Sequence, residues 1–135
     1  MQEPLLTRVQ RLRHVALLAR YGTGLLFLVT FFGTHYPINI PPGLMASSDK
    51  IVHFVVYMML TISFLVSWEL SAGILRPAHY FLVWLFGTIY GAFDEITQIP
   101  VGRQCDGMDW LADIVGIVVG LTLFRLTRSL LYRWC

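Results

Sequence analysis

Charged side chains are scarce in this chain. Asp, Glu, Lys and Arg make up 13% of its 135 residues, about half the share of a soluble domain. That deficit, with 56% hydrophobic residues and a mean hydropathy of +0.65, excludes an ordinary soluble domain. The net charge of +2 is too small to argue for nucleic acid. Cysteine is limited to Cys105 and Cys135, and no zinc-binding spacing surrounds either, so a disulfide framework is excluded as well. There is no internal repeat and no low-complexity tract. Aromatic residues reach 14%, which argues against disorder.

What is abundant is long apolar sequence. Four stretches of about 20 residues are each long enough to cross a hydrocarbon core of about 30 Å. They run from about Leu17 to Tyr36, Ser48 to Leu70, Ala78 to Ile99, and Asp106 or Asp109 to Phe124. The remainder suffices for two tails and short connections, so one membrane domain over 1–135 is expected. The fold class is all-α, a polytopic bundle of four transmembrane helices. Met1 to Arg13 reads as a short interfacial helix, because Leu5, Leu6, Val9 and Leu12 recur at helical spacing among arginines. The first span is too long for the apolar region of a signal peptide and no clear cleavage site follows, so it is expected to be retained. His35 to Ser48 holds Pro37, Pro41, Pro42 and Gly43 and reads as a loop, with Ser48 or Asp49 capping the second helix. The Met58-Met59 pair reads as core. Arg125 to Trp134 continues the last span as an amphipathic extension.

Basic residues suggest the orientation. With both termini in the cytoplasm, that side carries Arg8, Arg11, Arg13, Arg20, Arg76, Arg125, Arg128 and Arg133, and the other side only Lys50 and Arg103. A multi-pass protein of the cytoplasmic membrane, N-in and C-in, is expected. Cys105 and Cys135 then lie on opposite sides.

The acidic residues are placed unevenly. Asp49, Asp94, Glu95, Asp106, Asp109 and Asp113 gather at the outer ends of spans two, three and four, joined by Lys50, His53, Gln98 and Arg103. Asp49, His53 and Tyr57 share one helix face, as do Tyr90, Asp94 and Gln98 on the next span. Asp109, Asp113, Gly116 and Gly120 share a third, and its G-x-x-x-G pair allows close helix approach, so Asp113 should face the bundle. His53, Glu95 and Asp113 each lie four residues inside a helix end, about 6 Å deep. Ionisable groups at one depth on three helices are costly in a membrane, and a functional site is the default reading. Asp49, Asp106 and Asp109 have the plainer reading of helix caps, Arg103 of a loop arginine pairing with Asp106, and Asp94 of an interfacial or water-facing residue. Tyr57, Tyr90 and Trp110 read as packing or interfacial aromatics.

Three strings carry a resemblance. Ser48 to Phe54 (SDKIVHF), Tyr90 to Gln98 (YGAFDEITQ) and Gly102 to Gly116 (GRQCDGMDWLADIVG) are similar to the three motifs of the VanZ-like family. Those motifs read D-K-x-x-H, E-x-x-Q and G-R-x-x-D-x-x-D-x-x-x-N-x-x-G. They match Asp49, Lys50 and His53; Glu95 and Gln98; and Arg103, Asp106, Asp109 and Gly116, within a core of about residues 48–120. The family usually has Asn where this chain has Asp113, so the site here is more acidic. The resemblance implies a small integral membrane protein of the cell envelope, some members being linked to resistance to the glycopeptide teicoplanin. It supplies no settled reaction.

Two functions compete on these residues. In one, the polar layer binds a lipid-linked envelope intermediate or a glycopeptide through Asp49, Lys50, Gln98, Arg103 and Asp106. In the other, His53 and Glu95 perform acid–base chemistry on a lipid-linked substrate, oriented by Asp109 and Asp113. A proton path or a purely structural network is also open. Neither G-x-S-x-G, H-E-x-x-H nor a P-loop is present. The carboxylates and His53 have the chemistry to ligate a divalent ion, but their spacing fits no standard metal motif, and no metal or other cofactor is expected. The lipid bilayer is the only partner the composition implies.

Overall fold

A computed structural model describes residues 5–36, 45–103 and 105–134, with side chains described over 9–36, 48–103 and 105–130. Four helices make up the bundle: α1 (Leu5–Thr34), α2 (Met45–Ala72), α3 (Pro77–Gln98) and α4 (Gly107–Trp134). Among the described residues there is no strand. Pro37, Pro41, Pro42, Gly43 and Cys135 lie outside the described residues.

The helix ends depart from the sequence reading in instructive places. The expected interfacial helix and the first span form one unbroken α1 of 30 residues, because no Pro or capping residue interrupts the Leu- and Arg-rich run between them. At about 45 Å it is longer than a hydrocarbon core is thick. α2 begins at Met45 rather than at Ser48 or Asp49, so Asp49 does not cap it but stands one turn inside. Met and Ala are good helix formers and simply extend the helix backwards. α3 opens with Pro77 at its first position, where the missing N–H costs nothing. It ends at Gln98, and Ile99–Val101 tighten into a 3₁₀ turn closed by Gly102 at φ 84°. That left-handed residue lets the Arg103 N–H return to Gln98 O at 3.2 Å, turning the chain back over the bundle end. Asp106 does act as a cap: its Oδ1 accepts from the Met108 N–H at 2.8 Å at the start of α4.

α2 and α4 form the most extensive contact, with α1 against α2 and α3 against α4; α1 and α3 touch little. Gly116 and Gly120 make the α2–α4 contact possible. A methyl at Gly116 would collide with the Phe54 carbonyl, and one at Gly120 would lie 2.9 Å from Met58 O. Gly87 and Gly91 do the same for α3, seating it on Ile117 and Asp113.

The bundle is inside-out relative to a soluble protein. Its apolar core is small: Leu65, Leu75, Val83 and Phe124, at the end opposite the motifs. His53, Asp94, Glu95, Gln98, Asp109 and Asp113 are buried, whereas Leu18, Phe32, Phe86 and Leu126 are among the many exposed apolar side chains. Met59, expected in the core, is half exposed. In water such a surface would aggregate; against lipid it costs nothing. α1, α2 and α4 are long and apolar enough to cross a membrane. α3, at 22 residues, is long enough, but its apolar character is diluted by the polar residues it contributes to the interior.

Candidate functional site

The polar layer sits at one end of the bundle, where the C-termini of α1 and α3 meet the N-termini of α2 and α4. α2 brings Asp49, Lys50 and His53 to it at i, i+1 and i+4. α3 brings Asp94, Glu95 and Gln98. The 3₁₀ turn brings Arg103, and the start of α4 brings Asp106, Asp109 and Asp113. With Thr34, these ten residues form one connected network.

At its centre is a His–Asp pair. His53 Nδ1–H donates to Asp113 Oδ1 at 2.9 Å, and Glu95 Oε1 lies 3.7 Å from the same nitrogen. All three side chains are buried. Glu95 is aimed by two donors: the Asp106 N–H at 2.9 Å on Oε2, and Gln98 Nε2 at 3.4 Å on Oε1. A carboxylate fixed in this way keeps its position in a partly dehydrated layer.

Two ion-pair groups cover the centre. Lys50 Nζ donates to Asp106 Oδ2 at 2.8 Å and to Asp109 Oδ1 at 3.0 Å. Arg103 donates to Asp49 Oδ2 at 2.6 Å and to the Thr34 carbonyl at 2.8 Å. Arg103 therefore pairs with Asp49, not with Asp106 as a loop reading would have it. The Lys50 ammonium holds the Asp106 carboxyl below the usual carboxylate range. Lys50, Asp106, Arg103 and Asp49 are partly exposed, whereas Asp109 is buried like the centre beneath them.

Beneath the centre lies an aromatic floor. Tyr57 and Tyr90 have ring centroids 6.1 Å apart, and Phe27 of α1 lies 5.0 Å from Tyr90. His53 Nε2, Tyr57 Oη and Asp113 Oδ2 are buried without a hydrogen-bond partner among the described residues.

For Asp94 the sequence also offers an interfacial or water-facing position. Asp94 is buried instead, accepting from Thr34 Oγ1 at 3.2 Å and from Gln98 Nε2 at 3.2 Å, with His35 Nδ1 3.7 Å away. His35 Nε2 meets Thr97 Oγ1 at 2.9 Å. The whole α1 side of the site, Thr34 and His35, was missed. The available signal was the Thr-His pair ending the first span, at the same bundle end as the acids. Tyr57 and Tyr90 are packing residues, as expected. Trp110 Nε1 donates to the Thr88 carbonyl at 3.0 Å and ties α4 to α3.

Long apolar helices, an apolar exterior and a buried acidic layer at one end define a helical integral membrane protein with an internal polar site. The VanZ/LLP1 family model matches residues 8–128, and the chain belongs to that family. No curated protein and no solved structure matches it.

Proposed function

We propose that the polar layer is a recognition site for the head group of a cell-envelope lipid intermediate, with a glycopeptide as the competing ligand. The protein would cross the cytoplasmic membrane four times, with both termini inside and the layer at the outer surface. The eight-to-two distribution of basic residues supports that orientation. One observation carries the binding reading. The two fixed cations of the site, Lys50 and Arg103, stand above a buried, incompletely partnered interior; each is held by a partly exposed carboxylate, Asp106 and Asp49, and Lys50 also by the buried Asp109. Exposed ion pairs are weak and open readily. A phosphate-bearing head group exchanges for Asp106 on Lys50 and for Asp49 on Arg103, Lys50 keeping its bond to Asp109, and its hydroxyl or amide groups meet the atoms beneath. Position at the membrane surface favours a ligand that is itself anchored in lipid. In this reading Asp49, Lys50, Gln98, Arg103 and Asp106 bind the ligand, and α3 spans the membrane because its polar face is turned inward.

A second reading rests on the His53–Asp113 pair. A carboxylate on Nδ1–H leaves Nε2 as a base, the arrangement needed for proton transfer, and Glu95 beside it completes an acid–base group with Asp109. One experiment separates the two. Wild type and Glu95→Gln are reconstituted in vesicles with labelled lipid-linked intermediates or glycopeptide. Saturable binding without turnover supports recognition; turnover that disappears in Glu95→Gln supports the enzyme. Failure to bind either ligand class overturns both.

A further inference from the structure

Asp49, His53 and Asp109 offer ligand atoms that all lie within 4.8 Å of one another. The sequence hides this group because its donors come from two helices, Asp49 and His53 from one turn of α2 and Asp109 from the first turn of α4. A helix contact as close as the one at Gly116 is what brings them together. The His53 ring is already set for coordination. Its Nδ1–H is committed to Asp113 Oδ1, so Nε2, buried and without a hydrogen-bond partner among the described residues, is the nitrogen left for a ligand. A carboxylate behind a histidine is the usual way a protein fixes the tautomer and orientation of an imidazole that ligates a metal. The charges agree. Lys50 and Arg103 face Asp49, Asp106 and Asp109 on the rim, so the rim alone keeps an unbalanced carboxylate, and Glu95 and Asp113 lie beneath it. Among the described residues Lys50 engages one oxygen of Asp109 and Arg103 one of Asp49, which leaves the second oxygen of each carboxylate to coordinate.

We infer that Asp49, His53 and Asp109 bind a divalent cation, with Asp113 as the positioning residue behind the imidazole. One imidazole and two carboxylates form a mixed donor set that suits Zn²⁺ or Mn²⁺ better than Mg²⁺ or Ca²⁺, which favour oxygen alone. Three protein ligands leave a coordination position open. This inference does not rest on the identity of any head group, and it is tested with the ion alone.

The test uses the full chain in mild detergent, carrying Cys105→Ser and Cys135→Ser so that no thiol can bind zinc. After stripping with EDTA the protein is titrated calorimetrically with ZnCl₂ and with MnCl₂. One ion per chain is expected. His53→Gln and Asp109→Asn should each lower the affinity at least about tenfold, and Asp113→Asn, which keeps an oxygen for the Nδ1–H, should lower it less. Asp49 is partly exposed, so Asp49→Asn carries the test if His53→Gln does not fold. Absence of saturable binding in the cysteine-free protein overturns the inference. So does unchanged affinity in folded Asp49→Asn and Asp109→Asn. A loss confined to Glu95→Gln would overturn it too, by moving the ion to the buried His53–Glu95–Asp113 group. Because no lipid is present, none of these outcomes bears on the binding reading above.

Discussion

Gly116→Ala puts the close α2–α4 crossing to a quantitative test. In an exposed helix interior this substitution is favourable by up to about 1 kcal/mol, since Ala gives up less backbone freedom than Gly. At Gly116 the new methyl collides with the Phe54 carbonyl and lies 3.2 Å from Met58 N. These are backbone atoms of α2 and cannot swing aside as a side-chain tip can. Overpacking costs about 1–3 kcal/mol, and a rigid obstacle puts this site at the upper end, for a net loss of about 2 kcal/mol. Relief requires the helices to part by on the order of 1 Å, since non-bonded carbons rest at about 3.5–4.0 Å. Phe54 follows His53 in α2, and Asp113 lies three residues before Gly116 in α4. The same parting therefore stretches the 2.9 Å His53–Asp113 bond towards the limit of a hydrogen bond. The control is Gly22→Ala in α1, where a methyl meets nothing within 4 Å. Thermal unfolding in detergent, followed by circular dichroism, should show Gly116→Ala clearly destabilised and Gly22→Ala neutral or stabilised. If Gly116→Ala melted at or above wild type, the reasoning from the crossing to the site would be refuted.

Asp113→Asn should be tolerated and Glu95→Ala should not. Asn keeps an oxygen for His53 Nδ1–H, whereas Ala strips the acceptor from the Asp106 N–H and Gln98 and leaves a cavity among buried polar groups. Removing one member of a buried charged group costs about 3–5 kcal/mol, so detergent melting should fall much further for Glu95→Ala; the reverse order would mean that Asp113 is the central carboxylate. For topology, the exposed Cys105 should react with an impermeant thiol reagent on intact cells and Cys135 should not; labelling of Cys135 alone would invert the orientation.

The sequence made the site more legible than the helix ends. His53, Glu95 and Asp113 could be placed at one level because helix rise is fixed and each lies four residues inside the end of an apolar stretch. Gly116 and Gly120 told which face of α4 turns inward, and the collision geometry at both explains why. Asp94 could not be placed, because its burial depends on Thr34 and His35 of α1, a helix far away in sequence whose rotation about its own axis no local pattern specifies. The start of α2 was missed because the Ser47-Ser48-Asp49 run looks like a cap in one dimension. Only Arg103, returned over the bundle by Gly102, shows that Asp49 is engaged elsewhere. The metal group was illegible for a related reason, since its donors are close in space only after two helices have crossed.

The polarity of α3 also bears on how the chain is made. A carboxylate facing lipid near the middle of a helix costs about 2.5–3.5 kcal/mol on insertion scales, less towards the end, and α3 carries two in succession. In the proposed four-span topology those two carboxylates reduce the preference of α3 for lipid until they are covered. Its partners are split in time: Thr34 and His53 emerge from the ribosome before it, whereas the Asp106 N–H that aims Glu95 emerges after it. If α3 spans the membrane as proposed, its carboxylates are therefore fully covered only once the fourth segment has joined the first two, and the bundle end is completed last.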